Sequence, residues 1–144
     1  MMGRIVAIDY GQKRTGLAAT DALQIIATAI GTIPSGEVFG FLKKYVAENP
    51  VDCFVVGEAR QMNNTMSESS RFIEPFVVKL RKEFPTIPVE RMDERFTSLM
   101  ATNAIREAGA KKKDRQNKAL VDTVSAVILL QSYMEKKAVE GGRR

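Results

Sequence analysis

The stretch Arg4-Ile5-Val6-Ala7-Ile8-Asp9-Tyr10-Gly11-Gln12-Lys13-Arg14-Thr15-Gly16-Leu17-Ala18-Ala19-Thr20 decides how the rest of the chain is read. Arg4 to Ile8 is a short β-rich run that stops at Asp9-Tyr10-Gly11. A second apolar run, Thr15 to Thr20, follows after only Gln12-Lys13-Arg14. A link of that length closes a hairpin and cannot carry a parallel crossover. Ile25 to Ile33 is a third β-type segment, closed by Pro34-Ser35-Gly36. Three strands joined so closely form an antiparallel meander, with an acid at the end of the first.

Beyond it the hydrophobic period changes. Val38, Phe41, Leu42, Tyr45 and Val46 recur at helical spacing, and Asn49-Pro50 ends that helix. Cys53 to Val56 is apolar without alternation, as expected of a strand covered on both faces, and stops at Gly57-Glu58. Thr65 and Glu68 have the spacing of a capping box, and Phe72, Phe76, Leu80 and Phe84 mark a second amphipathic helix. Pro75 lies inside that helix and should kink it or shift its start. Val89 to Met92 reads as a short strand ending in Asp93-Glu94-Arg95. Thr97 reads as the N-cap of a third helix ending at Gly109, and a fourth runs from Leu120 to about Met134. The order βββ-α-β-α-β-α-α predicts an α/β fold, a mixed five-stranded sheet flanked by helices, as in ribonuclease-H-like domains. Residues 1–138 are expected to form this one domain and 139–144 a disordered tail.

Composition narrows the chemistry. The chain has 144 residues, one domain's worth, with 44% hydrophobic and 27% charged residues. No apolar run approaches membrane-spanning length, and the start shows no signal peptide, so the expected location is cytoplasmic, away from membranes. Cys53 is the single cysteine, expected as a buried core thiol, and there is no histidine. Ser-His-Asp and Cys-His mechanisms and His-ligated zinc are therefore excluded within this chain. A hydrolase of this composition would work through carboxylates and oxygen-loving cations. The net charge of +5 suits a polyanionic partner only weakly. Its placement says more, because Lys111, Lys112, Lys113, Arg115 and Lys118 fall in one short stretch.

Three acids stand out. Asp9 ends a buried strand, at the sheet edge where open α/β sheets take their ligands, with Gly11 letting the chain turn away. Alone, it reads first as a turn aspartate. Asp93-Glu94-Arg95 also ends a strand, and alone it reads as helix-start acids with a surface ion pair. Asp122 lies early in an apolar helix, where it either complements the helix dipole or offsets its burial by holding a metal. The fold would aim all three at one edge of the sheet. Close carboxylates repel, and a divalent cation between them removes the conflict.

The resemblance these residues carry is specific. Val6-Ala7-Ile8-Asp9-Tyr10-Gly11-Gln12-Lys13-Arg14-Thr15-Gly16-Leu17-Ala18 resembles the opening motif of the YqgF family, also called RuvX-type Holliday junction resolvases or pre-16S rRNA nucleases. Asp93-Glu94-Arg95-Phe96-Thr97-Ser98 resembles its second signature. Lys118-Ala119-Leu120-Val121-Asp122, with Ala126-Val127-Ile128-Leu129-Leu130-Gln131, resembles its third. The likeness runs from Arg4 to about Met134. It implies a ribonuclease-H-like nuclease that matures the 5′ end of small-subunit ribosomal RNA, with ribosomal precursor particles as partners. It carries catalytic, metal-binding roles onto Asp9, Glu94 and Asp122, with Mg²⁺ or Mn²⁺ as the cofactor. Junction resolvases of the same fold place a glutamate after the fourth strand, where this chain has Glu58. The middle ligand is therefore open between Glu58 and Glu94.

Lys13, Arg14 and Arg95 flank these acids and are candidates to hold phosphates, against ordinary surface solvation. The stretch Lys111, Lys112, Lys113, Arg115 and Lys118 would track a nucleic-acid backbone; as a bare charge run it is a solvated loop. The expected function is a metal-dependent nuclease acting on a ribosomal RNA precursor. Its rivals are a resolvase acting on branched DNA and a non-catalytic RNA-binding assembly factor. An ATP-binding domain of the sugar-kinase or actin type also begins with Asp-x-Gly, but needs two lobes to enclose its nucleotide.

Overall fold

The structure, a computed structural model, describes residues 3–11, 13–58, 70–93 and 118–140. Five strands and three helices are present among them. Strands β1 (Arg4–Tyr10), β2 (Arg14–Thr20) and β3 (Ala27–Pro34) form the meander. A 3-10 turn at Ser35–Glu37 leads into α1 (Val38–Glu48), followed by β4 (Val51–Glu58) and α2 (Ser70–Glu83). Strand β5 (Val89–Asp93) and α3 (Lys118–Glu140) complete the set. The sheet order is β3-β2-β1-β4-β5. The two hairpin-linked pairs are antiparallel, while β1 with β4 and β4 with β5 are parallel. The mixed five-stranded sheet expected from the element order is what forms.

Strand β1 lies in the middle and is buried on both faces. Alternation sends Val6 and Ile8, with Leu17, Phe54 and Val56, against Leu42 of α1 and Ile73, Phe76 and Leu80 of α2. It sends Ile5 and Ala7, with Ala18, Cys53 and Val55, against Ala126, Leu129, Leu130 and Tyr133 of α3. Helices α1 and α2 thus cover one face and α3 the other. Cys53 is buried, as the sequence suggested. No described helix is long and apolar enough to cross a membrane.

Several boundaries differ from the sequence reading: β1 runs on to Tyr10, β4 spans Val51–Glu58, and α3 begins at Lys118. Strand β3 begins at Ala27 rather than Ile25, because the Asp21 carboxylate accepts hydrogen bonds from the backbone N–H groups of Leu23 (3.3 Å), Ile25 (2.7 Å) and Ile26 (2.8 Å). Those bonds fold 21–26 into a loop, with Gln24 in the left-handed region at φ 59. Strand β3 also runs through Pro34, paired with Arg14. An edge strand tolerates a residue with no N–H to donate. Helix α3 extends to Glu140, past the end of its buried stripe at Tyr133 and two residues into the expected tail. Glu135, Lys136 and Lys137 are exposed and are good helix formers that continue it. Pro75 lies within the helical run of α2, between Ser70 and Glu83. The capping box at Thr65 and the helix expected from Thr97 to Gly109 lie outside the described residues.

Candidate active site at the carboxyl edge of the sheet

Asp9 stands one residue before the end of β1, in phase with Ile5 and Ala7 and therefore on the α3 side. Its cross-strand partner on β2 is Gly16. On β4, one step beyond the pair Ile8 and Val56, the matching position is Gly57. Both neighbours of Asp9 in the sheet thus lack side chains. The same lateral row continues outward to Thr32, paired with Gly16, and to Met92, paired with Gly57.

Thr32 ties this row to α3. Its hydroxyl lies 2.5 Å from that of Thr123. Asp122 is the residue before Thr123, and position 122 falls three, four and seven residues before Ser125, Ala126 and Leu129, all buried. Its position therefore falls in line with that buried stripe. The anchor holds this end of α3 about two strand spacings, roughly 10 Å, from the strand that carries Asp9. For Asp122, Lys118 and Glu58 the backbone is described and the side chain is not.

The turn after Asp9 is built around a close approach. A Cβ at Gly11 would stand 2.5 Å from the carbonyl oxygen of Arg14, so only glycine fits there. Ser35 fastens the turn from outside. Its hydroxyl donates to the Gly11 carbonyl (2.6 Å) and lies 2.8 Å from the Thr15 hydroxyl. Its N–H donates to the Lys13 carbonyl (3.0 Å). Lys13 is exposed at this edge, and Arg14 is half-buried at the start of β2. The sequence marked Ser35 only as the close of a strand. Its spacing from Gly11 gives no hint of the clamp, which needs β3 paired beside β2.

On the other face Tyr10, the residue after Asp9, stacks on Phe76 of α2, with ring centroids 4.1 Å apart and planes 13° from parallel. At β5, Arg91 pairs with Glu74 of α2 at 2.8 Å, and that hydrogen bond holds the Glu74 carboxyl below its ordinary range. Glu58 and Asp93 end β4 and β5 in register with one another. Glu94, Arg95, Lys111, Lys112, Lys113 and Arg115 lie outside the described residues. Among the described residues, no three Asp, Glu or Cys side chains gather as a metal cluster.

An acid at the carboxyl end of a central strand, overlooked by the start of a helix that carries a second acid, narrows the comparison with known proteins. Residues 3–136 match the family described as RuvX, Holliday junction resolvase. The chain belongs to the RuvX family. Relatives in Parabacteroides distasonis and Bacteroides thetaiotaomicron are each 57% identical over 136 residues, 94% of this chain and 97% and 99% of theirs. One from Phocaeicola vulgatus is 58% identical over the same share of this chain and 98% of its own. Each of these RuvX relatives bears the name "Putative pre-16S rRNA nuclease". Among solved structures, T. thermophilus RuvC in complex with a Holliday junction substrate superposes with a TM-score of 0.52. The overlay covers 96% of both chains at 15% identity. That likeness shows the fold, which is ribonuclease-H-like.

Proposed function

We propose that this RuvX protein is a metal-dependent nuclease that processes the 5′ end of pre-16S ribosomal RNA, with Asp9, Glu94 and Asp122 holding Mg²⁺ or Mn²⁺. The observation that carries the reading is the lateral row through Asp9. Glycines flank the acid in the sheet, and the Thr32–Thr123 contact ties the row to the helix turn that bears Asp122. The names of the relatives give the substrate.

The donor chemistry fits the cation. Carboxylate oxygens are the ligands hard divalent ions prefer, and the chain has no histidine and only a buried thiol to compete. Bound there, such ions would supply a water acidified for attack and charge stabilisation for the leaving oxygen of a phosphodiester. The residues themselves bind and orient. Asp9 is fixed by the paired strand behind it and by the clamped turn ahead of it. Lys13, Arg14 and Arg95 would hold phosphates beside the scissile one. Lys111, Lys112, Lys113, Arg115 and Lys118 would follow the backbone further out, independently of sequence.

The register supports Glu94 over Glu58 as the middle acid. On β4 it is Gly57 that shares Asp9's phase, whereas position 58 is in phase with Phe54 and Val56, the set facing α1 and α2. Glu94 lies two residues beyond Met92, which packs on the α3 side, so an alternation carried one step past β5 would give it the phase of Asp9. Glu94→Gln should lower the cleavage rate by at least about a hundredfold, roughly 2.7 kcal/mol of transition-state stabilisation. Glu58→Gln should cost far less.

A second reading, cleavage of branched DNA, is favoured by the family's description and by the RuvC fold. Purified protein incubated with single-stranded pre-16S leader RNA or a four-way DNA junction, in Mg²⁺, Mn²⁺ or EDTA, separates the two. RNA cleavage that EDTA abolishes is expected. Cleavage of the junction alone would establish the second reading, and RNA binding without cleavage in any metal would make the protein an assembly factor.

A further inference from the structure

The carboxyl edge of the sheet has two sides, and Asp9 belongs to only one. Consecutive residues of a strand point to opposite faces, so Asp9 serves the α3 side and Tyr10 the side of α1 and α2. Tyr10 begins a run of aromatic rings leading away from the acid. It stacks on Phe76, and Phe76 lies 5.3 Å from Phe39, in the first turn of α1. Lys79, exposed on α2, holds its ammonium 4.6 Å above the Phe39 ring. Phe76 is buried, but Tyr10 and Phe39 are only partly so. The run starts beside the acid and ends at a half-buried ring under an exposed cation.

The charge around it is also arranged. The acids of α2 are engaged by cations from neighbouring elements: Glu83 by Lys43 of α1 at 2.8 Å, and Glu74 by Arg91 of β5. Hydrogen bonds from those cations hold both carboxyls below their ordinary range, and Lys79 adds to the effect at Glu83 through its field. Between the two acids α2 carries Lys79, Arg81 and Lys82 with no further acid, and Lys13 stands exposed in the turn beyond Tyr10. Glu37, exposed before α1, opposes them, and positions 58 and 93 at the strand ends have the phase of the same side. A ring beneath a lysine, next to further cations, is how proteins hold single strands without reading sequence. The ring takes the face of a base and the cation takes the adjoining phosphate.

We propose that Phe39 and Lys79, backed by Phe76 and Tyr10, form a second contact site for single-stranded nucleic acid on the α1–α2 side of the catalytic edge. A strand whose scissile phosphate lies at Asp9 would pass over Tyr10 and stack a base on Phe39, with Lys79 swinging from the ring to the phosphate. An exposed cation–π contact is weak enough to be exchanged in this way. The site takes its ligand class from the nuclease reading and rests on it for that alone.

The test is fluorescence anisotropy of a short dye-labelled single-stranded RNA of mixed sequence, titrated with protein in EDTA so that nothing is cleaved. Phe39→Leu keeps an apolar side chain and removes the ring, and Lys79→Ala removes the charge. Each should weaken binding by at least about fivefold, the low end of one base–aromatic stack. Lys79→Ala should also flatten the dependence of log affinity on log salt by about 0.7. Phe39→Trp and Lys79→Arg should restore affinity, which a role in packing alone would not predict. Lys137→Ala, on α3 over Tyr133, should change nothing. Wild-type cleavage of RNA together with unchanged affinity in Phe39→Leu and Lys79→Ala would overturn the site and leave the nuclease standing. Failure of the wild type to bind or cleave RNA at all would overturn both. Loss of affinity that tracks a fall in melting temperature, unrescued by Phe39→Trp, would return Phe39 to packing and overturn the site.

Discussion

Substituting Gly11 by alanine probes the local geometry on which the position of Asp9 depends. The added Cβ would sit 2.5 Å from the Arg14 carbonyl oxygen, inside the 3.0 Å that real Cβ contacts respect. The turn must open by at least the difference, and it is held on both sides. Ser35 grips the Gly11 carbonyl at 2.6 Å and the Lys13 carbonyl at 3.0 Å, while Tyr10 and Thr15 are paired in the sheet. Forcing a methyl into such a place costs about 1–3 kcal/mol, and losing the Ser35 bond adds about 1 kcal/mol. A total of about 2–4 kcal/mol corresponds, for a domain near this size, to roughly 6–15 °C in melting temperature. Thermal unfolding followed by circular dichroism measures it, with Gly36→Ala as the control because nothing lies within 4 Å of a Cβ there. Cleavage should fall as well, since Asp9 lies two residues before the displaced turn. Equal melting temperatures for the two variants would refute the reasoning.

Other substitutions address the acids and the core. Asp122→Asn should abolish cleavage while leaving the metal-free protein as stable as the wild type or more so; a large drop in melting temperature would mean that Asp122 is structural. Burial pushes the Cys53 thiol above its ordinary range, only partly offset by the Tyr133 hydroxyl 3.9 Å away. A thiol reagent should therefore label the native protein at the rate of unfolding, and rapid labelling in native buffer would contradict the burial. The backbone N–H groups of Ile26 and Ile25 hold the Asp21 carboxyl below its ordinary range. With the folded value depressed, its contribution is complete above the unfolded pKa near about 3.9 and is lost as pH falls through the folded value. The melting difference between wild type and Asp21→Ala should thus be full at neutral pH and shrink in acid below about pH 4, and a pH-independent difference would show that the carboxylate does not fasten the loop.

The meander was legible because the links are short, and link length restricts topology more strongly than propensity does. The buried strands were legible for a similar reason. Val6-Ala7-Ile8 and Cys53-Phe54-Val55-Val56 have no polar residue to turn toward water, so both faces had to be covered. The start of β3 was not legible, because Ile25 and Ile26 are strong strand formers. What removes them from the strand is the side chain of Asp21, four and five residues earlier, bonding to their N–H groups. The far end of α3 was missed for the opposite reason. Hydrophobic period reports burial, and the helix runs on past its buried stripe at Tyr133.

The candidate site divides along the same line. Asp9 could be singled out because an acid ending an apolar strand is visible in one dimension. The bare positions beside it could not, because they depend on two glycines in other strands. Gly16 is seven residues from Asp9 and opposes it only if the hairpin pairs in this register. Gly57 is far along the chain and reaches the same row only through the parallel pairing of β1 with β4. A slip of one residue in that pairing would bring Val56 or Glu58 beside Asp9 instead, exchanging the gap for a hydrophobic wall or a second negative charge. The register therefore sets position 58 out of phase with Asp9, and the proposal gives the place beside it to Glu94. Placing a carboxylate at position 57 by Gly57→Glu, in a chain that also carries Glu94→Gln, tests this directly. Partial recovery of metal-dependent cleavage is expected from the double variant, and none from Glu94→Gln with Glu58 left in place. Full activity in Glu94→Gln alone would show that Glu58 reaches the metal despite its phase.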